Sequence, residues 1–344
     1  MIFSWFEALK ILHLCNSIGA ITIISGGNVI TIISGGLRTT RFLEGLLRVI
    51  PQEELKIIVN TINNVEVLGL DIFPDLEYLL FLLAGRLDIR YWETIQNDTY
   101  SFMNVLSYLN NKKELWFRFG DTLFANTIFR NYLMAQGKSF SEAIEIIAEK
   151  LGITAQVIPM SDDKITFKVV TEPPFLGDLP FLEYRNKVTQ EVIKEVKEIK
   201  YIGIDKAKAN PEIEDALSKC ETILIGPSNP ALNIEPMLAL KDIKNAIEKA
   251  SCNVIAISPV LGDEPLELHM EKLMKEALGM GTSTLEIVER YPGLIDTLII
   301  DESDEQYKDQ LEEMGMEVIV TTIRLSSQEN RTKLAETVSK LLPI

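Results

Sequence analysis

The sequence predicts an α/β fold: a Rossmann-like parallel sheet with helices on both faces and a mostly helical insertion. Three observations support this fold. A β-branched run, a glycine pair, a helical stretch and a second apolar run follow one another between residues 30 and 60. Short apolar runs alternate with helical stretches again in the second half of the chain. Such runs, apolar on both sides, are typical of parallel strands that helices cover on both faces.

The first of these units begins with the run ITIIS at residues 30–34, which ends in Gly35 and Gly36. Apolar residues then recur at helical spacing from Thr39 to Val49. The run KIIVN at 56–60 predicts the second strand, and the connection predicts a parallel βαβ crossover.

The middle of the chain changes character twice. A helical insertion is predicted over about 76–152, and a small excursion from the sheet over about 155–205. The insertion contains amphipathic stretches at 75–87, 99–110, 122–136 and 140–151. The excursion contains alternating runs at 155–159 and 164–170, a proline-rich connection at 173–180 and a charged stretch around 188–199 that we interpret as helical.

The second half returns to alternating strands and helices. Strands are predicted at 222–225, 253–257, 297–300 and 317–320, and helices at 236–250, 266–278 and 327–342. We therefore predict that residues 30–344 form a single α/β domain.

Residues 1–29 form an N-terminal extension whose role the sequence leaves open. Its apolar segment at 1–16 contains Glu7 and Lys10 and lacks a basic beginning, unlike a signal peptide. The string ITIISGG then occurs twice, at 21–27 and 30–36. We assign the first strand to the second copy because a helix follows it directly. The first copy is interpreted as an appended edge strand or a misassigned start.

Charge and composition exclude several classes of function. The 34 Lys and Arg residues against 50 Asp and Glu residues give a net charge of −16, which opposes binding to nucleic acid or to an anionic membrane. A bound phosphate must therefore be held by local groups. The three cysteines have no CxxC spacing and there are two histidines, so a zinc site is not expected. Few cysteines and no secretory signal predict a cytoplasmic protein.

Two loops are candidates for binding phosphate. Ser34, Gly35 and Gly36 join a strand to a helix, where glycines let a ligand approach free backbone N–H groups. Such a pair is equally common as plain turn chemistry. The loop Gly226-Pro227-Ser228-Asn229-Pro230 follows a strand, and its prolines stop both strand and helix. Ser228 and Asn229 can offer a hydroxyl and an amide where ligands bind in open α/β sheets.

The ordered motifs resemble the 2-phospho-L-lactate transferase family from about residue 30 to 342. The resemblance rests on GPSNP at 226–230, Ser258 to Gly262 (SPVLG), Pro159 to Asp163 (PMSDD), Asn60-Thr61, Pro74-Asp75-Leu76, Asn97-Asp98-Thr99 and Arg118 to Asp121 (RFGD). It implies a magnesium-dependent transfer of a 2-phospholactyl or phosphoenolpyruvyl group from a guanosine diphosphate-linked donor to the deazaflavin alcohol Fo. GMP leaves, and the product is a precursor of coenzyme F-420. The family resemblance also implies a homodimer.

The resemblance assigns roles to individual residues. It places Ser34, Gly35, Gly36 and the segment Gly226, Pro227, Ser228 and Asn229 beside the nucleotide, and it places Asp75 and Arg118 toward the deazaflavin. Asp75 can bind Mg²⁺ or accept a proton, and Arg118 can bind phosphate or stack on a flat ring. Alternatively, Asp75 caps a helix after Pro74 and Arg118 is a solvated charge.

Some family positions differ in this chain. Leu37 replaces a small residue of the first loop, Asn63-Asn64 replace an acidic pair, and Leu123 and Thr127 replace an Asp and a His. A glycine-rich run of the family is replaced near 266–270 (LELHM). Two functions are therefore considered: an active transferase, and a non-catalytic paralogue that binds a nucleotide or nucleotide sugar.

Overall fold

The computed structural model describes residues 30–109, 117–172, 177–189, 195–262, 264, 268–291 and 293–343. The extension 1–29, with the first ITIISGG copy and its predicted role, lies outside these residues. So does most of the loop at 263–267.

The centre of the molecule is a sheet of seven parallel strands. In chain order they are β1 (Ile30–Ser34), β2 (Leu55–Val59), β5 (Gln156–Pro159), β9 (Thr222–Ile225), β10 (Asn253–Ile257), β11 (Thr297–Ile300) and β12 (Glu317–Val320). Their order across the sheet is β12-β11-β10-β9-β1-β2-β5. Strand order reverses between β1 and β9, as in a doubly wound sheet.

Helices cover both faces of this sheet. They are α1 (Gly36–Leu46), α2 (Pro74–Leu83), α3 (Ser101–Leu109), α4 (Asp121–Ala135), α5 (Phe140–Leu151), α6 (Phe181–Thr189), α7 (Glu212–Ser218), α8 (Glu235–Ala239), α9 (Lys241–Lys249), α10 (Leu268–Lys272), α11 (Thr284–Val288), α12 (Lys308–Glu313) and α13 (Gln328–Ser339). Within the described part of the chain, no helix is long and apolar enough to cross a membrane.

Consecutive residues of β1 show that an apolar core lies on each face of the main sheet. Ile32 and Ile33 are both fully buried, but they join different apolar cores because side chains alternate across a strand. Ile32 packs in the core that includes α1 and α13, whereas Ile33 packs in the core that includes α7 and α9. The predicted Rossmann-like α/β fold is confirmed.

Two smaller sheets accompany the main one. A hairpin of β3 (Val65–Val67) and β4 (Leu70–Ile72) precedes α2. The helices α2 to α5 then lie between β2 and β5 in the chain, which is the region predicted as helical. A three-stranded antiparallel sheet contains β6 (Thr166–Thr171), β7 (Gly177–Pro180) and β8 (Val196–Ile202) in the order β7-β6-β8.

Three details differ from the sequence-based expectations. Residues 156–159, grouped with the excursion, form the edge strand β5 of the main sheet and pair with β2. The charged stretch 188–199, interpreted as helical, contains the end of α6 and the start of β8. Pairing of β8 with β6 across the small sheet outweighs its charged composition. The helix predicted at 236–250 is divided at Leu240, which has extended backbone angles.

Candidate active site

The candidate site lies where strand order reverses, at the carboxyl ends of β1 and β9. The chain leaves β1 for α1 on one face of the sheet and leaves β9 for α8 and α9 on the other. In doubly wound folds, ligands bind at the place where neighbouring strands diverge in this way. We call this place the switch-point crevice and define its two walls as residues 34–36 and 226–229.

The two walls are bonded to each other. The Ser228 hydroxyl donates to the carbonyl oxygen of Gly35 at 2.7 Å and lies 2.5 Å from the Thr39 hydroxyl of α1. The Gly226 N–H donates to the Ile33 carbonyl at 3.1 Å. A Cβ at Gly226 would lie 2.4 Å from the Thr39 methyl carbon, so this position must be glycine. The structure thus brings the two predicted nucleotide-binding segments together.

The polar groups of Ser228 and Asn229 serve the loop itself. Ser228 is buried, and its hydroxyl joins Gly35 to Thr39. The Asn229 side-chain oxygen accepts from the N–H of Leu232 at 3.0 Å, and its amide nitrogen contacts the Met274 sulfur at 3.4 Å. Both side chains therefore fix the shape of the crevice wall.

Replacing Ser228 with alanine is expected to lower the free energy of unfolding by about 1–3 kcal/mol, because Gly35 and Thr39 lose a buried partner. Denaturant unfolding measures the change. Thr39→Val in the same variant should add little, since both substitutions break one network. Ser218→Ala, at an exposed position, is the matched control. A fully additive pair of losses would contradict this arrangement.

The glycine turn presents the N-terminal end of α1 to the crevice. Gly36 has a φ of 70°, a left-handed conformation that favours glycine. Gly35 is the N-cap residue of α1 and has no side chain to cap it, the first turn has no acidic residue, and the first N–H, that of Gly36, is bonded to the Asp75 carboxylate of α2. Backbone N–H groups and the helix dipole at such an end favour an anion such as phosphate.

Three buried asparagines form the floor of the crevice. The amide nitrogens of Asn60 and Asn63 each donate to the side-chain oxygen of Asn233 at 3.1 Å. Asn60 also donates to the Leu232 carbonyl at 3.1 Å. A Cβ on Gly35 would lie 2.5 Å from the Asn233 Cβ, so the floor presses directly against the glycine turn. Asn233 was not identified from the sequence, although a polar residue in the buried segment PALNI is a usable signal.

Asp75 joins this floor from α2. The Asn63 amide nitrogen donates to its carboxylate at 2.8 Å, and the backbone N–H of Gly36 also bonds to it. The N-cap residue of α2 is Phe73, so Asp75 lies inside the first turn and is not the cap. Burial raises the pKa of Asp75, although the bond from Asn63, the charge of Arg185 and the Gly36 N–H act to lower it.

Arg118 lies in a neighbouring cavity of about 280 Å³. The cavity is also lined by Tyr78, Glu93 and Arg185, and the charges of Glu93 and Arg185 reach Asp75. Arg118 is exposed, and its guanidinium lies 5.7 Å from the centre of the Tyr100 ring. Asp75 and Arg118 thus have two charged neighbours in common, Glu93 and Arg185. Arg185 was not identified from the sequence.

The motif around Asp98 and Asp121 has a structural role. The Asp98 carboxylate accepts from the N–H of Thr122 at the start of α4. Asp121 accepts from the N–H groups of Ser101 and Phe102 at the start of α3. The two aspartates therefore cap each other's neighbouring helix. A Cβ on Gly120 would clash with Asp98, which explains this glycine.

The pair Asp162 and Asp163 also bonds within the protein. Asp162 accepts from the N–H of Ser141 at 2.7 Å, and Asp163 accepts from the N–H of Lys208 at 2.9 Å. These carboxylates therefore order the loop after β5.

The oxygens near Asp75 fit a magnesium ion that the substrate helps to bind. The Asn63 side-chain oxygen is buried and has no hydrogen-bond partner among the described residues. Within the same residues, no group of three or more His, Cys, Asp or Glu side chains can hold a metal ion. Magnesium commonly binds one or two protein oxygens together with substrate phosphates and water, which matches this set.

Comparison with known proteins places this architecture in one family. The family model described as 2-phospho-L-lactate transferase CofD matches residues 30–339. A 2-phospho-L-lactate transferase from Methanopyrus kandleri is 34% identical over 326 residues, covering 94% of this chain and 97% of that protein. A phosphoenolpyruvate transferase from Kitasatospora aureofaciens is 29% identical over 308 residues, covering 87% and 95%.

A solved structure from Bacillus halodurans has the same fold. It superposes with a TM-score of 0.58 at 16% identity and covers 91% of this chain and 100% of its own. The family match extends from the first strand of the switch-point crevice to the last helix. The chain therefore belongs to the 2-phospho-L-lactate transferase CofD family and is a transferase.

Proposed function

We propose that this protein transfers a 2-phospholactyl or phosphoenolpyruvyl group from a guanosine diphosphate-linked donor to the deazaflavin Fo, releasing GMP in the biosynthesis of coenzyme F-420. The observation that carries the proposal is the position of Asp75. Its carboxylate bonds to Asn63 and to the first N–H of α1, and it faces the charges of the Arg118 cavity. A carboxylate between a phosphate site and an alcohol site suits this transfer.

The donor's diphosphate is assigned to the glycine turn. The N–H groups of the first turn of α1 that follow Gly36 can bind its oxygens, and α1 also carries Arg38 and Arg41 near this end. The protein has a net charge of −16, so such local positive groups are what attracts an anionic donor. Ser228 and Asn233 hold the turn in place from the other wall and the floor.

The acceptor alcohol is assigned to the Arg118 cavity. Its hydroxyl oxygen attacks the phosphorus that bears the lactyl or enolpyruvyl group, the bond from that phosphorus to the GMP oxygen breaks, and Asp75 takes the hydroxyl proton. The raised pKa of Asp75 makes its carboxylate a stronger base than an ordinary aspartate. The unpartnered Asn63 side-chain oxygen, together with the donor phosphates, would hold magnesium, which neutralises phosphoryl charge when bound and leaves the Asp75 carboxylate to accept the proton.

The test is to incubate the full chain with Fo, the guanylyl donor and Mg²⁺ and to measure GMP and phosphorylated deazaflavin together. Equal amounts of both products support the proposal. No turnover, combined with thermal stabilisation by a guanine nucleotide alone, contradicts it and supports the non-catalytic nucleotide-binding paralogue. The donors carrying lactyl and enolpyruvyl groups, compared by kcat/KM, decide which group is transferred.

Replacing Arg118 with alanine is expected to raise KM for the deazaflavin about tenfold, because one exposed charge and ring contact is lost while Asp75 stays in place. Steady-state kinetics with Fo as the varied substrate measure this. Arg86→Ala, which removes an exposed arginine outside the cavity, should change neither constant. A fall in kcat with unchanged KM would contradict the binding role.

A further inference from the structure

Two cysteines that are distant in the sequence meet at the amino-terminal ends of two inner strands of the main sheet. Cys220 lies two residues before β9, and Cys252 immediately precedes β10. Their sulfur atoms are 3.0 Å apart. Because β9 and β10 are parallel neighbours, both cysteines lie at the amino ends of the strands, opposite the switch-point crevice. Their spacing of 32 residues gave no sign of this contact.

We propose that Cys220 and Cys252 form a thiol–disulfide site that a small-molecule disulfide oxidises to an intramolecular disulfide bond. A disulfide requires the sulfurs to approach to about 2.05 Å and the Cα atoms to lie roughly 4.4–6.8 Å apart. Adjacent strands are separated by about 4.8 Å, and the two cysteines lie within two residues of the paired strand ends Thr222 and Asn253. The two sulfurs, 3.0 Å apart, therefore need to approach by only about 1 Å to form the bond.

An oxidant can reach the pair from solvent. Both cysteines are partly exposed, and both line an open cavity of about 580 Å³. Lys249 and Glu214 also line this cavity, so its wall carries charges of both signs.

The chemistry assigns the two thiols different parts. Burial and the hydrogen bond with Cys252 raise the pKa of Cys220 to about 12, so that thiol stays protonated at neutral pH. Cys252 therefore reacts first: its sulfur gives up its proton to solvent, attacks the small disulfide and displaces one small thiolate. Cys220 then gives its proton to that small thiolate, and its sulfur attacks the Cys252 sulfur and displaces the second. Two protein thiols and one small disulfide become one protein disulfide and two small thiols.

The bond would close a loop around the crevice wall. The segment from 220 to 252 contains β9, the GPSNP loop, Asn233, α8 and α9. Closing this loop restricts the unfolded chain, so the oxidised protein should be more stable than the reduced one. Oxidation of this pair does not depend on the transfer reaction, since neither sulfur lies in the switch-point crevice.

The test uses the full chain with Cys15→Ser, so that only this pair can react. The reduced protein is incubated with glutathione disulfide at pH 8, the remaining thiols are blocked with N-ethylmaleimide, and peptides are mapped by mass spectrometry. We expect a peptide pair linked through Cys220 and Cys252 that has lost two hydrogen atoms. The midpoint of thermal unfolding should rise on the order of 5 °C and return after dithiothreitol.

Single variants separate closure from simple modification. In Cys220→Ser and Cys220→Ala, glutathione should remain on Cys252 and the midpoint should not rise. Two outcomes would overturn the proposal in the parent protein: both thiols stay free, or glutathione stays attached without a protein disulfide. A disulfide between two chains would overturn it as well, and non-reducing electrophoresis detects it.

Discussion

Replacing Asp75 with asparagine is expected to lower kcat by about 100-fold or more, because the variant keeps the shape of the side chain but cannot accept a proton. GMP release under saturating donor and Fo measures the loss. The fold should survive, since Phe73 and not Asp75 is the N-cap residue of α2. An amide oxygen at this position can still accept from Asn63, whose nitrogen lies 2.8 Å from the present carboxylate.

The raised pKa of Asp75 fixes the direction of two pH effects. Activity that needs the carboxylate rises as pH rises through this pKa, so the acidic limb of the kcat profile lies above the ordinary value of 3.8. Stability changes in the opposite direction. A carboxyl whose pKa is higher in the folded state stabilises the fold while it is protonated, and this contribution is lost as pH rises through the folded pKa. Asp75→Asn should therefore unfold at the same or a higher temperature at pH 7.

Asp71→Asn is the matched control for this substitution. Asp71 lies in β4 and forms an ion pair with Lys164 at 2.6 Å, near the surface and outside the crevice. The Asp71→Asn substitution removes the same charge as Asp75→Asn and should leave kcat unchanged. If Asp75→Asn instead unfolds the protein at room temperature, the residue serves the fold and the proton-acceptor role is wrong.

The sequence predicted the walls of the crevice because strand ends leave local signals. A buried strand reads as an apolar run, and β1, β9, β10, β11 and β12 match their predicted bounds. Glycine and proline then mark where each strand must stop, as at Gly35 and Gly226. Since parallel strands end at one edge, the two loops could be expected to meet there.

The floor of the crevice could not be predicted in the same way. Asn63 and Asn233 are 170 residues apart, and nothing local shows that their amides share a hydrogen bond. The same holds for Cys220 and Cys252, which meet only because β9 lies beside β10. Long-range pairing with β6 also makes the segment of β8 a strand, although its charged sequence favours a helix when read alone. The division into one α/β domain from residue 30 onward stays a prediction.

Replacing Arg130 with methionine is expected to lower the free energy of unfolding by about 3–5 kcal/mol, the largest stability effect that we predict. Arg130 and Glu77 are both fully buried and form an ion pair between α4 and α2. Arg130 also donates to the Asp71 carbonyl and lies 4.9 Å from the centre of the Phe73 ring. Methionine fills similar volume but leaves the Glu77 charge in an apolar interior with Thr127 as its hydrogen-bond donor.

A double substitution separates the cost of the lone charge from the loss of packing. Glu77→Gln combined with Arg130→Met removes both charges, so it should be clearly more stable than Arg130→Met alone. Denaturant unfolding of the four proteins in this cycle measures the coupling. Arg90→Met is the control, because it breaks an ion pair with Asp88 in which the arginine is mostly exposed, and the unfolding midpoint should hardly change.

The cycle also tests whether this pair positions the Asp75 carboxylate. Glu77 is two residues after Asp75 on α2, so the bond to Arg130 anchors the turn that presents Asp75 to the crevice. Well below its unfolding temperature, Arg130→Met should therefore lower kcat severalfold, and the double variant should recover part of that loss together with stability. If stability returns while kcat stays at the level of the single variant, the pair does not position Asp75. Equal stability of the single and double variants would show instead that Glu77 tolerates the loss of its partner, and that packing of Arg130 against Phe73 dominates.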